Sequence, residues 1–144
     1  MRISLKDLAP VIESALNAGL SYTFSPAGDS MRPMLYGSGC TVTLKKPVFP
    51  LKKHDVALYY SKEGNLVLHR VVEVGQGSYT MLGDSTVTRE EGIPDSRIIG
   101  VVSAFARGEK IRSVDAPTYK LYCRIWSAIP FLRRFVIRFG RKSL

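Results

Sequence analysis

Histidine is scarce in this chain and cysteine no commoner: there are two of each in 144 residues, with a single tryptophan. Two histidines and two scattered cysteines, Cys40 and Cys123, supply no paired metal-ligand spacing, so no metal centre is expected. The cysteines also fall short of a disulfide framework; they fit a reducing compartment or one optional bridge. Long apolar runs are missing, and none approaches the roughly 20 residues of a membrane-spanning helix. The first residues, "MRISLKDLAPVIESALNAG", carry Asp7 and Glu13 among their apolar positions and do not read as a secretory signal. Gly-rich phosphate loops and nucleotide fingerprints are absent, so no cofactor is expected. Acid is missing from one end. Tyr119 to Leu144 hold seven basic residues and no acidic one, while the other 118 residues hold 14 basic against 12 acidic. The net charge of +9 therefore belongs to a tail, and an electrostatic partner is to be sought there.

What is present is an ordinary globular composition, 45% hydrophobic and 23% charged, enough for one domain with a real core. Residues 4 to 19 read as a helix. Ser4 can cap it, Asp7 lies in its first turn, Leu5, Leu8, Val11, Ile12, Ala15 and Leu16 recur at helical spacing, and Gly19 stops the run. From residue 40 to about 106 the texture becomes β-branched: "CTVTLKK", "DVALYY", "LVLHRVVEV", "YTML" and "RIIGVVSAF" read as strands. "SKEGN" and "GQGS" read as hairpin connections, and "KKPVFPLKK" suits an edge or crossing loop. Strands that follow one another without helical spacers imply a compact, mainly antiparallel β-domain. After Ala116 the chain turns helical again. Leu121, Tyr122, Ile125, Trp126 and Ile129 form one apolar stripe, and Leu132, Phe135, Val136 and Phe139 a second beyond Pro130. The expected organisation is a β-domain with its N-terminal helix over residues 1–115 and a basic helical tail over 116–144.

Chemistry centres on "AGDSMRPML", where Ser30 is either a turn residue or a nucleophile on a bend. A nucleophilic serine needs a base within hydrogen-bond reach and donors for an oxyanion. His54, in "LKKHDV", reads as a solvated surface residue. His69 lies within "NLVLHRVVEV", where alternation places Val67, His69 and Val71 on one face and Arg70 on the other. Among valines the imidazole is partly desolvated, which favours the neutral form. It is either a base or a core histidine satisfied by a carbonyl. Asp84 in "LGDS" and Asp95 in "IPDSR" could orient it, or could be turn residues.

The order of these pieces resembles the type I signal peptidase family and its LexA-type relatives. "GDSMRPML", "GCTVTL", "LKKHDVALYY", "LVLHRVVEV", "YTMLGDS" and "PDSRIIGVV" follow one another as that family's boxes do, over roughly residues 24 to 103. The resemblance implies a coiled, mainly β fold in which Ser30 attacks a peptide carbonyl. Where bacterial and LexA-type members carry a lysine base, this chain has His69, as the archaeal and endoplasmic-reticulum signal peptidases do. It thus implies a Ser30–His69 pair, with Asp84 or Asp95 as third member. Gly28, Asp29, Met31 and Pro33 would form the oxyanion and substrate-binding surroundings. Gly28 stands where bacterial members carry a side-chain oxyanion donor, so the backbone must supply that function. Thirteen residues separate His69 from Gly83, too few for the extra β-domain of many bacterial enzymes. No anchor of the family's usual kind precedes Ser30, so the expected location is cytoplasmic or peripheral on a membrane.

The expected activity is that of a serine endopeptidase acting on an extended peptide or leader segment. The alternatives are a LexA-like self-processing module, with Ala18–Gly19 as its bond, and a non-catalytic peptide- or membrane-binding relative. The tail, residues 119–144, either packs on the body or lies on a membrane surface through its aromatics and arginines. A nucleic-acid partner is not expected, since no recognition module accompanies the charge.

Overall fold

The computed structural model describes residues 5–26, 31–32, 34–35, 39–107 and 110–128. Helix α1 covers Leu5–Asn17, as its apolar spacing requires, and buries Ala9, Ile12 and Leu16. Its end is closed by Gly19, whose positive φ of 82° lets Leu20 N–H donate back to the Ala15 carbonyl at 3.0 Å. Ser4, expected to cap the helix, lies outside the described residues.

Among the described residues, eight strands form one antiparallel sheet: β1 (Tyr22–Phe24), β2 (Cys40–Lys45), β3 (Val56–Tyr60), β4 (Leu66–Val74), β5 (Ser78–Leu82), β6 (Glu90–Pro94), β7 (Ile98–Arg107) and β8 (Lys110–Ser113). Neighbours run β1-β2-β7-β3-β4-β5-β6, with β8 also on β7. The expected mainly antiparallel β class is what the chain adopts. Strands β1, β6 and β8 lie outside the segments that alternation marks as strands; all three are short, and β8 is wholly exposed. The long β7 is central: it pairs β2 through Val101–Arg107 and shares its other edge between β3 and β8.

Alternation along β3 divides the interior in two. Val56 and Leu58 face a cluster shared with α1, Met31, Met34 and Phe105, while Ala57 and Tyr59 face a second with Leu51, Val71, Met81 and Ile93. Register shifts in the β4–β5 and β5–β6 ladders act as bulges that let the sheet bend. Helix α2 (Pro117–Ala128) closes the first cluster with Tyr119 and Cys123, and also buries Trp126. The stripe expected to be apolar is thus rotated: Leu121 and Ile125 face solvent at 58% and 42% exposure. The described part of the expected tail is therefore packed on the sheet. Residues 129–144 lie outside the described residues. No helix among the described residues is long and apolar enough to cross a membrane.

Candidate active site

His69 sits in mid-β4, paired with Ala57 of β3, on the face it shares with Val67 and Val71. Tyr59 lies two pairs further along β3, on the same face, a diagonal neighbour whose ring reaches the imidazole. The Tyr59 hydroxyl stands 3.2 Å from His69 Nδ1 and 2.7 Å from Glu90 Oε1. Glu90 opens β6, three strands away from β3. At about 4.8 Å per strand, a flat sheet would hold the two backbones about 14 Å apart. Their side chains meet because the β3–β6 portion curls around the second cluster. Glu90 Oε2 is held as well, accepting from Lys62 N–H at 3.0 Å in the β3–β4 turn.

The hydrogen count fixes the protons. A phenol has one hydrogen, and a carboxylate only accepts. Tyr59 therefore donates to Glu90 and accepts from His69, which places the imidazole proton on Nδ1. Nε2 is left with its lone pair, and carries no hydrogen bond among the described residues. Burial holds His69 below its usual pKa near 6.5, and outweighs the nearby charges of Glu90 and Asp84, which act the other way. Burial, reinforced by Glu90, pushes the Tyr59 phenol well above its usual range, so it stays a neutral relay.

The two aspartates expected to orient His69 are bonded elsewhere. Asp84 is 2% exposed and takes both forks of Arg70, Nε to Oδ1 at 2.7 Å and Nη2 to Oδ2 at 2.8 Å. Arg70, itself 1% exposed, points away from His69 as alternation requires, and its Nη1 also donates to the His54 carbonyl and the Tyr119 hydroxyl. Tyr122 and Trp126 of α2 donate to the Asp84 carboxylate and carbonyl. Asp95 accepts from the Tyr79 hydroxyl, which in turn accepts from Leu51 N–H, so it anchors the loop before β3. The carboxylate at the end of the His69 chain is Glu90.

Ser30, Gly28, Asp29 and Pro33 lie outside the described residues. Met31, directly after Ser30, is buried in the first cluster. Met34 is tied down three times: its sulfur accepts from Arg70 Nη2 at 3.4 Å and from the Tyr119 hydroxyl at 3.7 Å, and its carbonyl accepts from Arg107 Nε at 2.8 Å.

His54, expected to be a solvated surface residue, is half-buried. Its backbone adopts φ 84°, its N–H bonds the Val71 carbonyl, and its Nδ1 stands 3.3 Å from Ser127 Oγ. Burial, then the charges of Arg70, Lys53 and Arg124, lower its pKa against a weaker pull from Asp55. This is a serine beside a histidine, yet no carboxylate hydrogen-bonds the ring among the described residues. A groove of about 680 Å³ runs beside it, between the loop before β3 and α2, past Phe49, Leu51, Lys52, Tyr119 and Arg124. His69 is not among its lining residues. No group of ligands able to hold a metal ion occurs among the described residues.

Tyr59 and Glu90 are the site residues that sequence reading missed. Alternation within "DVALYY" could have put Tyr59 on one face with Ala57. Nothing in "TREEGIP" marks Glu90, because its partner lies 31 residues earlier across a curled sheet. Comparison with family models, with curated proteins and with solved structures gives no match.

Proposed function

We propose that this chain is a serine endopeptidase, with Ser30 as nucleophile and His69 as general base, in a β-fold of the LexA and signal-peptidase type. The observation that carries this reading is the hydrogen-bond chain from Glu90 through Tyr59 to His69 Nδ1: with the Tyr59 hydrogen given to Glu90, the imidazole proton belongs on Nδ1, which leaves Nε2 as a base. Two features support it. His69 occupies the box where the resemblance implies the base, and the sheet is antiparallel and curled.

In the reaction, Ser30 Oγ attacks the substrate carbonyl as its proton passes to His69 Nε2. The backbone N–H of Ser30 stabilises the oxyanion. The imidazolium then gives the proton to the leaving amine, and water, deprotonated by the same nitrogen, hydrolyses the ester. An extended peptide with small residues beside the scissile bond is the substrate class that the resemblance implies.

Ser30→Ala and His69→Ala test it, assayed on a quenched peptide library and by labelling with a fluorophosphonate. Each variant should lose turnover by at least about 10³-fold while keeping the wild-type circular dichroism spectrum. Turnover retained in either folded variant overturns the assignment. A wild-type chain that neither cleaves nor labels would make it a non-catalytic relative.

A further inference from the structure

Neither aspartate that the sequence offers as an orienting group touches His69, yet its imidazole is oriented. The geometry points to Glu90 and Tyr59 as positioning residues: the carboxylate acts through the phenol to hold the His69 proton on Nδ1. This inference rests on the proposed peptidase reading for its catalytic consequence, but not for its physical content.

The chain of bonds runs in one direction only. Glu90 Oε1 accepts from the Tyr59 hydroxyl at 2.7 Å, so the phenol oxygen can only accept from His69 at 3.2 Å. Glu90 cannot swing away freely, since Lys62 N–H holds its other oxygen. Tyr59 cannot either, being fully buried with Ala57 and Val71 around it. A hydroxyl alone could turn its hydrogen toward Nδ1 and select the opposite tautomer, which would occupy Nε2 with hydrogen. The carboxylate removes that freedom. A histidine base needs its far nitrogen to donate, and a phenol relayed to a glutamate meets that need without a carboxylate beside the ring. The insulated charge has a second effect. Glu90 favours the imidazolium that forms in the transition state from one side chain further away than a direct carboxylate would.

The test is ¹⁵N NMR of the imidazole nitrogens in the full-length chain at pH 8, with His54→Asn to assign the two rings. Wild-type His69 should show a protonated Nδ1 and an unprotonated Nε2. Glu90→Ala frees the Tyr59 hydrogen, so the population should move toward protonated Nε2. Tyr59→Phe removes the acceptor of the Nδ1 hydrogen and should move the population the same way. Amide dispersion checks that each variant is folded. In the peptidase assay, Glu90→Ala should lower kcat by at least about tenfold, up to the roughly 10⁴-fold that a wrongly tautomerised base costs, with KM unchanged. A wild-type His69 protonated on Nε2, or a pattern unmoved by Glu90→Ala, overturns the inference. A tautomer that shifts as expected in a chain without peptidase activity upholds the relay and rejects the peptidase reading.

Discussion

Arg70 and His69 are adjacent in sequence and opposite in role. Strand alternation alone separates them, one toward each core cluster, and that separation is legible in "LVLHRVVEV". What alternation cannot tell is that the arginine is buried. A buried guanidinium is tolerable only if paired, and Asp84 pairs it with two parallel bonds, burial notwithstanding raising the Arg70 pKa well above its usual value. Asp84→Ala would leave that charge in an apolar space against Tyr119 and Cys123. The expected loss is about 3–5 kcal/mol, read as a lowered urea midpoint. Arg70→Met combined with Asp84→Leu should recover much of it, since two apolar groups replace an ion pair at little net cost. A double variant as unstable as Asp84→Ala would show that the remaining bonds, not the unpaired charge, dominate. The "LGDS" box thus holds a structural carboxylate, whose function in the fold is distinct from the orientation of His69.

Helix α2 shows how a stripe can be misread at the scale of one element. Leu121, Tyr122, Ile125 and Trp126 look like a continuous apolar face, but the helix docks through Tyr119, Cys123 and Trp126, at spacings of four and three. Polar anchors decide the rotation: Tyr119 bonds Arg70, Tyr122 bonds Asp84, and the Trp126 indole donates to the Asp84 carbonyl. No periodicity rule sees partners that lie 38 to 49 residues away. Trp126→Ala should cost about 3–5 kcal/mol in urea unfolding. Leu121→Ser with Ile125→Ser, both exposed, should change stability by no more than about 0.5 kcal/mol each. The same pair tests the membrane-surface alternative for the tail, because Leu121 and Ile125 lie beside Lys120 and Arg124. If the helix meets an anionic surface, the double variant should co-sediment less with phosphatidylserine vesicles than wild type does. Equal sedimentation would reject a membrane role for this face.

For the molecule as a whole, the strands with strong alternation or β-branched runs were legible, and their hairpin turns with them. The short edges were not: "YTF" is three residues, "KIRS" is polar throughout, and "EEGIP" contains both glycine and proline. The curl that brings β6 to β3 was invisible for the same reason, and with it Glu90. The fold that results keeps both of its histidines at least half-buried, and this gives the whole chain a pH dependence of known sign. Burial is the largest cause of the lowered pKa at each, with Arg70, Lys53 and Arg124 adding to it at His54. Well above pH 6.5 both rings are neutral folded or unfolded, and they contribute almost no slope. Below about 6.5 the unfolded chain takes up protons that the folded chain refuses, so stability falls with pH until the folded rings also protonate. The slope cannot exceed about 1.4 kcal/mol per pH unit for each histidine. Urea midpoints should therefore be level between pH 8 and 7 and decline between 6.5 and 5.5, above the range in which ordinary carboxylates titrate. His54→Gln and His69→Gln should each flatten part of the decline. Peptidase activity should follow the folded pKa of His69 alone, and so persist into the acid range where stability is already falling. A midpoint that is level down to pH 5.5 would mean that neither imidazole is desolvated, and would remove the neutral base on which the proposed mechanism depends.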